Sequence, residues 1–358
     1  MVTISLCMIV KNEEAVLARC LTAVEDTVDE IIIVDTGSTD KTKEIAKKFT
    51  NNIFDFKWID DFSAARNFAF SKASMDYQMW LDADDVVSCE SRQKIIQLKK
   101  VLNPEIDIIT MKYNTHFDEF GKPILTSTRE RLFKTANNYQ WQDPIHEYIT
   151  LQDNLLHTNI IIDHRKIGVN GDRNLKIYEK MITSGKVLSP RQTYYYAREL
   201  MDHGKYKDAT RYYTQFLDDG GGWYEDNIAT CFNLSRCYIK LQEHHKVLPI
   251  LFKSFVYDTP RAEICCQIAY TYKRIQAYKK AIFWFELALT LEKNSHGFIL
   301  NDYWDYIPSI ELCDCYYKIG NTEKSYDYHL LSQKIKPYEK SVKYNEKFFK
   351  TLGYEKKS

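Results

Sequence analysis

The hydrophobic period of this chain changes once, close to residue 187, and that change limits the possible folds more than any other feature. Up to about residue 185, short apolar runs alternate with amphipathic stretches. "ISLCMIV" (4–10), "EIIIVD" (30–35) and "YQMWLD" (77–82) read as buried strands. "EEAVLARCLTAV" (13–24) and "STDKTKEIAKKF" (38–49) have helical spacing, the second with Ser38, Thr39 and Asp40 as candidate N-caps. Strands alternating with helices imply parallel pairing through right-handed crossovers, hence an α/β sheet. Ligands of such sheets sit beyond the carboxyl ends of the strands. Asp35 and Asp82 stand at two of those ends.

Beyond residue 189 the strands stop and one outline recurs. "YYYARELMDHGKYKDATRYYTQFL" (194–217) reads as helix, turn at Gly204, helix. Residues 264–289 repeat it, residues 310–332 repeat it with Gly320, and residues 232–255 are a weaker copy. Aligning Ala209, Val247, Ala281 and Ser325 gives steps of 38, 34 and 44 residues. These bracket the tetratricopeptide period, and small residues there let paired helices approach closely. The expected second half is therefore a stack of helix pairs whose concave face suits an extended chain or a second subunit. A chain of 358 residues exceeds one ordinary core. The expected domains are 1–187 and 188–358.

Charge narrows the partners. The chain carries 49 basic and 49 acidic side chains. Phosphate-backbone binding needs a basic excess, so nucleic acid is not an expected partner. Nine cysteines include no CxxC pair, which predicts reduced, buried thiols rather than a disulfide frame or a zinc site. The first ten residues are apolar, but Lys11, Glu13 and Glu14 follow at once, and no run of ~20 apolar residues occurs. A cytoplasmic protein without a membrane span is expected.

"QMWLDADDVV" (78–87) runs an apolar strand into three carboxylates, Asp82, Asp84 and Asp85. Like charges this close repel unless water or a cation offsets them. An acidic pair at this spacing arises by chance about six or seven times in such a chain, so the motif alone is weak. Its place after a strand, in the same half as Asp35, gives it weight. Two such carboxylates can grip Mn²⁺ or Mg²⁺, leaving positions for phosphate oxygens. A solvated turn before a helix is the plainer alternative.

"SLCMIVKNEEAVLARCL", "DEIIIVDTGSTDKT", "DDFSAARNFAF" and "WLDADD" occur in that order. Together they resemble the GT-A nucleotide-sugar glycosyltransferases of family 2, in particular bacterial members with a C-terminal tetratricopeptide region. The peptide S-glycosyltransferases that modify glycocin bacteriocins share this layout. The resemblance implies an α/β GT-A domain, Rossmann-like, followed by an all-α repeat domain. It implies a metal-dependent inverting sugar transfer from a nucleotide-sugar, UDP-glucose or a related donor, to a peptide, protein or glycan acceptor. The alternatives are a transferase acting on cell-surface polysaccharide, and an interaction protein whose transferase half has decayed.

By the same resemblance Ile9, Val10 and Glu13 border the nucleotide base, and Asp35 bonds the uracil or ribose. Arg66 and Asn67 face the nucleotide and sugar. Asp84 ligates the metal directly, and Asp82 faces ribose or metal. Asp85 supports them or meets the sugar. "RERLFK" (129–134) and "QWQDPIHEYI" (140–149) resemble the acceptor-side segment, with Glu147 at the position of the catalytic base beside His146. "IIIDHRK" (160–166) resembles the segment whose late histidine completes the metal shell, which makes His164 the third ligand. Arg165 and Lys166 follow it where relatives carry Gly-Tyr. Glu147 in a structural salt bridge, and Arg66 paired with Asp61, are the plainer readings of those two residues. The repeats could cradle a peptide or form a homodimer.

Overall fold

A computed structural model describes residues 1–151, 154–167, 171–293 and 297–354. The chain divides into two compact units, Met1–Ile177 and Tyr178–Ser358.

The first unit begins with β1 (Ile4–Val10), α1 (Leu17–Val24), β2 (Glu30–Asp35), α2 (Thr42–Ala46), β3 (Ile53–Asp55), α3 (Phe62–Phe70) and β4 (Tyr77–Trp80). β5 (Asp85–Val87), α4 (Cys89–Val101), β6 (Ile108–Phe117) and β7 (Pro123–Lys134) follow. A short hairpin, β8 (Trp141–Gln142) and β9 (Tyr148–Ile149), precedes β10 (Leu155–His164). Strand order in the sheet runs β3-β2-β1-β4-β7-β6-β10-β5. β3, β2, β1 and β4 are mutually parallel, as the alternating pattern predicts. Past β4 the sheet is mixed: β7 is antiparallel to β4 and β6, β10 is parallel to β6, and β5 is antiparallel to β10.

Alternation along β1 makes both layers. Ile4, Leu6, Met8 and Val10 point into a core shared with Leu17, Cys20, Leu21 and Val24 of α1 and Ile95 of α4. Cys7 and Ile9 point the other way, toward Ala69 and Phe70 of α3 and Trp141. Asp61 caps α3 by accepting from the Ala64 amide at 2.9 Å. α2 is shorter than its pattern suggests, because its candidate caps are used elsewhere. Ser38 Oγ accepts from the Asn12 amide and Asp40 Oδ2 from the Glu14 amide, which tie the loop after β2 to the loop after β1. Asp40 Oδ1 also accepts from the Thr42 amide.

α5 (Arg173–Thr183) spans the division between the units. The second unit continues as α6 (Pro190–Asp202), α7 (Tyr206–Asp219), α8 (Tyr224–Lys240), α9 (Val247–Lys253), α10 (Ala262–Arg274) and α11 (Tyr278–Thr290). It ends with α12 (Tyr306–Lys318), α13 (Thr322–Ile335) and α14 (Lys340–Thr351). Consecutive helices α6/α7, α8/α9, α10/α11 and α12/α13 pack as pairs. Ala209, Val247, Ala281 and Ser325 are all buried at the pair interfaces. The hydroxyl of Ser325 is satisfied there by donating to the Cys313 carbonyl at 2.6 Å. Each of these residues lies five positions after a left-handed one: Gly204, Gln242, Gln276 and Gly320. In residues 232–255 and 264–289 glutamine, not glycine, takes the turn.

All nine cysteines are unpaired thiols. Eight are buried; Cys89, first residue of α4, is exposed and departs from the expectation of burial.

Candidate active site at the strand ends

The parallel register brings the expected residues to one edge. Val10 pairs with Asp35, and Trp80 pairs with Cys7, so Asp82 falls level with Ile9. The Val10 side chain is core and its carbonyl accepts from the amide and hydroxyl of Thr36, so β1 offers backbone here rather than a polar side chain. Asp35 is buried, and its Oδ1 accepts from the amides of Gly37 and Ser38, each at 2.9 Å. Gly37 has φ +106°, a conformation only glycine adopts without strain. Asp35 Oδ2 has no hydrogen-bond partner. A buried carboxylate oxygen without a donor is costly, and a ligand N–H or O–H would satisfy it.

After β4 the chain crosses through Leu81–Asp84 to pair as β5 with the end of β10, where Asp85 faces His164. That crossing joins residues some 80 positions apart in sequence. Asp82, Asp85 and His164 each bring a potential ligand atom within 4.8 Å of one another. Asp84 joins through His164, whose Nδ1 lies 3.2 Å from Asp84 Oδ1 and 3.1 Å from Asp85 Oδ1. Burial alone would lower the His164 pKa, but its hydrogen bonds to Asp84 and Asp85 outweigh that and raise it to about 10. A cation bound there would take the place of that proton.

The three acids are not equivalent. Asp85 is fully buried, and both its oxygens are occupied by the chain's own donors. Oδ2 accepts from the Asp82 amide at 3.0 Å and Arg131 Nη1 at 3.2 Å, and Oδ1 accepts from the Tyr113 hydroxyl at 2.9 Å. Asp85 therefore braces the loop and does not face a sugar. Asp82 and Asp84 keep part of their surface open to solvent. Asp82, Asp85 and His164, with Asp84 against the imidazole, make a mixed oxygen and nitrogen donor set of the kind that holds a divalent cation.

Arg66, on α3, links the acidic loop to the β8–β9 hairpin. Its Nη2 lies 2.9 Å from Asp82 Oδ1 and its Nε 2.6 Å from Glu147 Oε1. The guanidinium sits over Trp80 and Trp141, at 4.5 Å and 5.2 Å from the ring centres. Burial raises the Asp82 pKa, but Arg66, with His164 and Arg131, holds it down to about 2. Arg66 does not pair with Asp61, which is used as the helix cap. Asn67, expected to face the nucleotide, turns its amide onto the main chain of Trp141, donating at 3.0 Å and accepting at 2.7 Å. It fastens β8 rather than a ligand. Glu13 is half-buried at the edge of the group. Burial and the neighbouring carboxylates Asp84, Asp82 and Asp40 raise it to about 7.

Arg131, Tyr113 and the two tryptophans escaped sequence reasoning. Arg131 is wholly buried, stacked 3.7 Å from the Trp80 ring centre and 4.2 Å from that of Tyr113. Its neighbours in "RERLFK" make it look like surface charge; it lies in the stretch Arg131–Phe133 of β7 that is buried at every position.

Residues 5–151 match the family described as Glycosyl transferase family 2. A TPR repeat-containing protein of Synechococcus elongatus is 37% identical over 157 residues, 44% of this chain and 37% of that protein. The SPbeta prophage-derived glycosyltransferase SunS of Bacillus subtilis is 28% identical over 231 residues, 61% of this chain and 54% of its own length. The chain thus spans about half or less of these curated relatives. A thermophilic TPR protein of Thermus thermophilus overlays 49% of the chain at 15% identity with a TM-score of 0.36. Among the described residues no helix is long and apolar enough to cross a membrane.

Proposed function

We propose that this chain, whose residues 5–151 form a family 2 glycosyltransferase domain, moves a sugar from a UDP-sugar to a peptide or protein acceptor with inversion and with the help of a divalent cation. The observation that carries the reading is the convergence of Asp35, Asp82, Asp84, His164, Arg66 and Glu147 on one edge of the parallel strands. Asp35 Oδ2 would accept from the uracil or ribose, which ends its isolation. Asp82, Asp84 and His164 would hold Mn²⁺ or Mg²⁺. That ion supplies positive charge against the departing diphosphate. Arg66 supplies a second, fixed positive charge beside it.

Glu147 is the proposed base. Arg66 Nε occupies Oε1, so Oε2 is the atom that would take the acceptor's proton as its oxygen or sulfur attacks the anomeric carbon. The acceptor approaches from the face opposite the diphosphate, which inverts the configuration. Unpaired thiols throughout suit a reducing cytoplasm. The test is incubation with UDP-glucose and other UDP-sugars plus Mn²⁺, with and without EDTA. Metal-dependent donor binding, or slow release of UDP, is expected. If every donor fails in both assays, the reading is overturned.

A further inference from the structure

Two consecutive residues of α1 face the back of the acidic loop, and neither belongs to the site described above. The Cys20 thiol donates to the Asp82 carbonyl at 3.5 Å. Arg19 Nη2 donates to the Asp84 carbonyl at 3.1 Å and makes a longer contact of 3.4 Å to the Arg165 carbonyl. The Arg165 amide donates to the same Asp84 carbonyl at 3.0 Å. Asp84 O is thus the meeting point of three segments: α1, the crossing from β4 to β5, and the end of β10.

From this juxtaposition we propose that Arg19 is a positioning residue for the cation site. The inference rests on the proposed function. A carboxylate and an imidazole bind an ion only if held at a fixed separation. Asp84 and His164 sit on separate segments, and β5 pairs with β10 over just three residues. Arg19 bridges the main chain one residue beyond His164 to the main chain of Asp84. It therefore fixes the spacing of the two side chains from behind, without touching either. Its charge also lies behind three carboxylates, where it offsets their repulsion in the absence of a cation. Outer groups that orient ligands in this way typically carry a tenfold to hundredfold effect on metal affinity.

The test is Mn²⁺ binding to the full chain, read by titration calorimetry or by loss of the free-ion electron-resonance signal. Arg19→Gln should weaken Mn²⁺ about tenfold. Arg19→Lys, which keeps a charged donor, should recover part of that. Arg92→Gln removes a nearby arginine that pairs with Asp26, and should leave the affinity unchanged. In the metal-free protein, hydrogen exchange should quicken in Arg19→Gln over residues 81–85 and 163–166, with the thermal midpoint little changed because the side chain is at the surface. Equal affinity in Arg19→Gln and wild type would overturn the inference, as would an equal loss in Arg92→Gln. If the wild type itself binds no Mn²⁺, the proposed function fails at its root, which is a separate outcome.

Discussion

Arg131 in the α/β unit and Ser325 in the helical unit are both completely buried, and they meet that condition differently. Arg131 is charged. It needs Asp85, the Trp80 carbonyl and two aromatic faces, and it still leaves Nε and Nη2 without partners. Ser325 is small and neutral, and one bond to the preceding helix satisfies it. At the strand ends of the first unit, Asp35 Oδ2 and Arg66 Nη1 join Arg131 in lacking partners. Such groups are held in place by their surroundings and are suited to a ligand that completes them. In the second unit, the recurring buried positions are chosen for size, so that helices can close on one another. The strand ends gather incompletely paired charged groups around one place; the helix pairs repeat one small, satisfied contact.

The sharpest way to break this contrast is at Arg66. Arg66→Ala should lower UDP release from a turnover-competent donor by about a hundredfold or more, since it removes the charge proposed beside the leaving group and the ion-pair partner of Glu147. The stability of the helical unit should not move, and a matching loss there would show that the two units are not independent. Arg131→Met tests buried charge without chemistry. It strands Asp85, and should cost about 3–5 kcal/mol in denaturant unfolding of the first unit.

Glu263 carries the same kind of cost into the helical unit, as a carboxyl whose Oε2 is buried without a hydrogen-bond partner. Burial raises its pKa from 4.5 to about 7. Between those values the folded state keeps a proton that the unfolded chain has lost. Its contribution to stability is therefore full at low pH and is lost as pH rises through 7. Glu263→Gln, which never charges, should match wild type near pH 4.5 and exceed it by up to about 3 kcal/mol at pH 8. Equal stability at both pH values would show that the Glu263 carboxyl carries no such cost. The smallest effect is expected at the turns. Gln276→Gly relieves a left-handed residue and should raise the stability of the second unit by about 1 kcal/mol, whereas Gly204→Ala should lower it by a similar amount.

How much could be read beforehand also differs between the units. β1 and β2 appear with their bounds intact, because "ISLCMIV" and "EIIIVD" are mostly apolar runs, the first closed by Lys11 and the second bounded by Glu30 and Asp35. β7 and β10 do not, since polar and apolar residues mix along both and their partners lie far away in sequence. Within "LDADD" the spacing shows three acids but not their division of labour. That division depends on Arg131 and Tyr113, which arrive from two other strands. Arg66 and His164 fall among the acids, while the Asn67 amide is drawn away by a hairpin that only the fold creates. In the helical unit the period of small residues was legible from the outset. So were the turns at Gly204 and Gly320; those at Gln242 and Gln276 were not, because glutamine carries no turn signal.

The fixed offset between each left-handed residue and the small residue after it has a genetic corollary. Gln242 and Gln276 are 34 positions apart and occupy the same place in successive hairpins. An in-frame loss of 242–275 would bring Gln276 directly after Leu241, with turn, offset and following helix undisturbed. Duplication of the same stretch would lengthen the array just as cleanly, so this half of the molecule can change its reach by whole modules while the other half cannot lose a strand.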